Sequence, residues 1–122
     1  MVDLISTLFF ESEEKLEIAA RALHEGQYQD SIYHTYSAIV NTAKALLTSE
    51  EHKANSQMSV VNLFDTEFAS ENKVFTQEGS FADFTYKYRK ETANEAFAKT
   101  YLNEAKEFYL AADEYRKNAL SE

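Results

Sequence analysis

Cysteine and proline are absent from this 122-residue chain, and glycine occurs only at Gly26 and Gly79. Without a thiol there is no disulfide framework and no thiolate zinc or iron–sulfur site. Two glycines are too few for a turn-rich sandwich or barrel, and neither sits in a glycine-rich phosphate loop. No run approaches the ~20 apolar residues that cross a bilayer. Met1-Val2-Asp3-Leu4-Ile5 has neither the basic start nor the cleavage site of a secretory signal, so a cytoplasmic protein with no membrane contact is expected. Positive charge is also scarce: 12 Lys and Arg face 21 Asp and Glu, a net charge of −9. In the first thirty residues Asp3, Glu11, Glu13, Glu14, Glu17, Glu25 and Asp30 meet only Lys15 and Arg21. Such a surface repels a phosphate backbone, which makes nucleic acid an unfavoured partner.

What the chain does have is apolar material at helical spacing. Hydrophobic residues make up 44% of it, with nine Phe and eight Tyr, enough to exclude disorder in spite of the charge. A first helix over residues 4–25 carries Leu4, Leu8, Leu16, Ala19 and Leu23 on one stripe, capped by Asp3 and stopped by Gly26. A second, over 30–48 with Asp30 as its cap, shows Ile32, Tyr33, Tyr36, Ile39, Ala43 and Leu46. The short connection makes the two an antiparallel hairpin. A polar break over 48–56 leads to a shorter helix capped by Ser56, with Val61, Phe64 and Phe68. Residues 70–80 lack periodicity and are expected to be the most mobile. A fourth helix starts near Ser80 with Phe81, Phe84 and Tyr88 on its apolar face. Thr92 and Glu95 have capping-box spacing, which sets the start of a last helix carrying Phe97, Tyr101, Ala105, Phe108 and Ala112. The expectation is an all-α fold, an up-and-down bundle of four to five helices, forming a single domain over residues 1–122.

Three histidines, His24, His34 and His52, are the candidates for proton transfer or metal binding. A helical carboxylate metal site needs Glu three residues before His, and those positions hold Arg21, Ser31 and Ser49, so no metal and no cofactor is expected. His34 follows Asp30 by one helical turn, and His24 lies where a cation suits the helix dipole. No Gly-x-Ser-x-Gly elbow positions a nucleophile, and no catalytic residue is assigned. The distinctive cluster is Tyr86-Lys87-Tyr88-Arg89-Lys90. Its cations can neutralise phosphate while a ring stacks on a base, or Tyr88 can enter the core and leave the cations wet. The surplus of tyrosine, Tyr33 and Tyr36 included, suits an interface, where a ring is buried while its hydroxyl keeps a partner.

The segment Gly26-Gln27-Tyr28-Gln29-Asp30, the pair Tyr33 and Tyr36, and Ala43-Lys44-Ala45-Leu46-Leu47 resemble the first helical hairpin of HEPN domains. Val61-Asn62-Leu63-Phe64 with Phe68 resembles that family's phenylalanine-led helix. Tyr88-Arg89-Lys90-Glu91-Thr92-Ala93-Asn94 is similar to its Tyr-Arg-x-x-Ala-Asp-Tyr element, with Asn94 and Glu95 in place of the last two residues. The likeness runs over about residues 8–117. It implies a helical bundle, commonly dimeric. In many members it also implies a metal-independent ribonuclease with an Arg-x(4–6)-His motif, often partnered by a minimal nucleotidyltransferase. That motif is missing: Arg89 is followed at the permitted spacing by Asn94, Glu95 and Ala96, and Arg21 by Gly26, Gln27 and Tyr28.

The leading expectation is therefore a non-catalytic HEPN-like module for self-association, as a homodimer, or for docking to a partner enzyme. A small ligand or nucleotide held between the second and fourth helices is a further reading, and Tyr33, Tyr36, Tyr88 and Arg89 are the ligand or interface residues. A ribonuclease toxin with a rearranged site would use Arg89 with His34 or His24. The fold also resembles C-terminal accessory extensions of sulfite/nitrite reductase-like proteins, in which redox chemistry belongs to the rest of the polypeptide.

Overall fold

Asp3 opens the first helix as its short acidic side chain predicts. In the computed structural model, which describes residues 3–54, 56–69, 73–75 and 79–120, its carboxylate accepts from the Ile5 N–H at 3.0 Å. Helix α1 runs Leu4–His24 and α2 Tyr28–Ser49. The turn between them is closed by Gly26 at φ +77°, with Gly26 N–H donating to Leu23 O and Gln27 N–H to Ala22 O. This is a Schellman closure, and only glycine enters its left-handed position without strain. It also overturns the expectation that Asp30 caps α2. The Gln27 carbonyl already accepts from Ser31 N–H, so the helix starts at Tyr28 and Asp30 lies in its first turn, where a negative charge suits the dipole.

Helix α3 is Gln57–Glu67, α4 is the short Phe81–Thr85, and α5 is Glu95–Leu120. Ser56 and Ser59 cap each other's backbone at the start of α3, and Ser80 with Asp83 does the same for α4. The expected fourth helix is cut to five residues and tightens into a 3-10 turn over Lys87–Lys90. The start of α5 also differs from expectation. Asn94, next to the helix, accepts from Phe97 N–H at 2.9 Å, and Thr92 stands outside the cap. Most of the stretch expected to be mobile, together with residues 1–2, Asn55 and 121–122, lies outside the described residues.

Side-chain hydrogen bonds fix the register of the long helices. Ser31 donates to Ala19 O, and Asn41 donates to Leu8 O and Ser12 Oγ, so α1 and α2 run antiparallel. Tyr28 donates to Glu95 and Tyr115 to Glu50, which places α5 parallel to α2. Tyr109 donates to Glu13, and Arg116 donates to Ser6 while lying 4.5 Å over the Phe9 ring, so α5 runs antiparallel to α1. Fully buried Ala19, Ala43 and Ala45 give the backbones room to approach. Phe64, Phe68, Phe75, Phe81, Phe84 and Phe108 form a connected aromatic core beneath α3 and α4. The result is an all-helical bundle of five α-helices among the described residues. No described helix is long and apolar enough to cross a membrane.

Candidate functional site

The site grows from two local geometries. Along α2, Gln29, Tyr33 and Tyr36 recur at the three- and four-residue spacing that puts side chains on one face. In the 3-10 turn, residues three apart eclipse one another. Tyr86 and Arg89 are such a pair: Arg89 N–H donates to Tyr86 O at 3.0 Å, and the Arg89 guanidinium lies 4.1 Å from the Tyr86 ring centre. A regular α-helix through this stretch would leave Arg89 about 60° short of Tyr86 around the axis. The tightened turn instead holds the guanidinium on a ring face.

Between these two elements lies a cleft of ≈ 440 Å³. Tyr33, Tyr36, Tyr88 and Arg89 all line it, so the fold brings together the four residues singled out as ligand or interface candidates. Tyr36 is buried, with its ring 5.2 Å edge-on to Tyr88 and 5.9 Å from Tyr86. Its hydroxyl donates to Gln57 Oε1 at 2.9 Å. Burial, aided by the neighbouring Tyr86 and Tyr88, pushes the Tyr36 phenol up to about 12, while Arg89 pulls the other way. Tyr33, by contrast, is 63% exposed and touches the His34 ring edge-on at 5.3 Å. Gln29, Gln57 and Glu91 complete the polar lining. Of these, Gln29 follows from the spacing of Tyr33. Gln57 and Glu91 do not, because Gln57 arrives through the packing of the first turn of α3 and Glu91 from the irregular stretch after the 3-10 turn.

The basic cluster divides its work. Lys87 forms an ion pair with Glu104 and lies over the Phe84 and Tyr101 rings, so it is half-buried rather than wet. Arg89 and Lys90 are exposed, and among the described residues neither has an ion-pair partner. The histidines lie elsewhere. His34 lines a separate shallow cleft with Ile18, Arg21 and Glu25. Asp30 lines it too but forms no ion pair with His34. His24 is exposed in the last turn of α1, and His52 approaches Glu67 at 3.7 Å. The fold therefore puts neither His34 nor His24 into the Arg89 cleft. Among the described residues no three His, Asp or Glu side chains gather as a metal-binding group.

A second surface feature lies between α1 and α5. Leu16, Ala20 and Tyr109 make the floor of a predominantly apolar groove of ≈ 280 Å³, with Leu110 exposed beside them. Glu13 and Glu17 stand on its α1 side and Lys106 on its α5 side. Leu110 is 64% exposed.

A long antiparallel hairpin, a third long helix laid along both its members, and short helices closing an aromatic core define an all-α helical-bundle domain. The HEPN domain family matches residues 5–118, and the chain belongs to that family. No curated protein and no solved structure matches it.

Proposed function

We propose that this HEPN domain works by association and not by RNA cleavage, and that its first partner is a second copy of itself. The observation that carries this reading is the α1–α5 groove, where Leu110 stands 64% exposed above an apolar floor. A Leu side chain left in water forfeits roughly 1.5–3 kcal/mol that burial against a partner recovers. The charges flanking the groove are self-complementary. A two-fold axis through it brings Lys106 of one copy towards Glu13 and Glu17 of the other. The Arg89 cleft agrees with the non-catalytic part of the reading. The ribonuclease motif of the family pairs its arginine with a histidine that moves the proton, and no histidine lines the cleft that holds Arg89.

Sedimentation equilibrium of the intact chain tests the association. A dimer is expected, and Leu110→Glu weakens it by at least about tenfold while the helical content is unchanged. A monomer at every concentration overturns self-association and leaves docking to a partner enzyme as the remaining form of the reading. Incubation with a cellular RNA pool tests the other half: intact RNA is expected, and cleavage abolished by Arg89→Ala or His34→Ala overturns it.

A further inference from the structure

Three groups in the cleft between α2 and the 3-10 turn have capacity that the fold leaves unused. Arg89 carries a full charge with no ion-pair partner among the described residues, in a chain of net charge −9. It is nevertheless oriented, since the guanidinium rests 4.1 Å from the Tyr86 ring centre. Stacking occupies the face of a guanidinium and leaves the in-plane N–H fork for an acceptor. Gln57 is half used as well. Its Oε1 accepts from Tyr36, which turns the amide NH₂ outward as a donor. Tyr33 keeps a large aromatic ring 63% in water on the same cleft. An exposed ring, an unpaired planar cation and a free amide around ≈ 440 Å³ are the ingredients of a small-molecule site, in the size range such sites occupy.

We propose that this cleft binds a small aromatic carboxylate, with the ring against Tyr33 and the carboxylate on Arg89 and the Gln57 amide. Two donor groups match two carboxylate oxygens, and the guanidinium fork is the side chain best shaped for them. The charge balance points the same way. One cation, Arg89, and one acid, Glu91, line the cleft, so Glu91 opposes a phosphate dianion more strongly than a singly charged carboxylate. The Tyr36 phenol is protonated across the neutral range, and its hydrogen bond to Oε1 leaves the Gln57 NH₂ as the donor. The cleft shares no residue with the α1–α5 groove, so this proposal and the self-association reading stand or fall separately.

Isothermal titration of the intact chain tests it, with phenylpropionate as the probe and phenylpropionamide, hexanoate and adenosine monophosphate as comparisons. Saturable one-site binding of phenylpropionate is expected. It should be at least about tenfold weaker for the neutral amide and for Arg89→Gln, and severalfold weaker for hexanoate and for Tyr33→Ala. Arg89 and Tyr33 are both exposed, so both variants should keep the parent's circular dichroism and thermal transition. No saturable heat with phenylpropionate, or equal affinity in Arg89→Gln, overturns the proposal. Tighter binding of adenosine monophosphate than of phenylpropionate also overturns it and assigns the cleft to a nucleotide.

Discussion

Glu51 closes α2 in the left-handed region at φ +65°, where His52 N–H donates to Leu47 O and Glu51 N–H to Thr48 O. This is the same closure that ends α1, but with a Cβ where Gly26 has none. The conformation costs a residue with a side chain roughly 1–2 kcal/mol. Part of the gain from removing that strain is lost to the greater freedom of glycine in the unfolded chain. Glu51→Gly is therefore expected to stabilise the protein by about 0.5–1 kcal/mol, read as a higher urea midpoint at unchanged slope. Gly26→Ala should cost about 1 kcal/mol for the opposite reason. The sequence shows the first of these turns and hides the second. Glycine declares a left-handed position, whereas a glutamate driven into one by the helix before it carries no mark.

At the scale of the element, cap chemistry decides what is legible. Asp3, Ser56 and Ser80 can be read directly, since an Asx or Ser side chain and its amide partner are neighbours in the chain. The short α4 depends on a contact from outside: Asp65 of α3 accepts from Phe81 N–H at 2.6 Å and Ala82 N–H at 2.9 Å. No local pattern shows that, and for the same reason the periodicity of Phe81, Phe84 and Tyr88 suggests a longer helix than exists. Asp65→Ala removes both acceptors and should cost about 1–2 kcal/mol. Hydrogen exchange should show the loss first at Phe81 and Ala82. The candidate cleft divides in the same way. The spacing of Tyr33 and Tyr36 and the Tyr88-Arg89 pair are visible in the sequence. Their meeting depends on the 3-10 tightening, and Gln57 joins them only through the packing of α3 on α2.

For the whole molecule, the buried phenols set an alkaline limit. Burial first, and then neighbouring carboxylates or tyrosines, raises Tyr36 and Tyr109 from 10.0 to about 12, and Tyr101, which donates to Thr85 O at 2.6 Å, further still. A phenol with a raised folded pKa holds its proton more tightly in the folded chain. The stability this gives is fully present below pH 10.0 and is lost as pH rises through about 12. The urea midpoint should thus stay level through the neutral range, from this cause, and fall above pH 10, less steeply in Tyr36→Phe; phenolate absorbance on alkaline titration should lag that of the unfolded chain. The link from Arg116 to Ser6 and the Phe9 ring bears on a different kind of load. It fastens the opening turn of one long helix to the closing turns of another that runs the opposite way, so traction applied at residues 3 and 120 opens that seam one contact at a time from its end. The domain should peel at low force, as a zip fastener does, instead of resisting in shear.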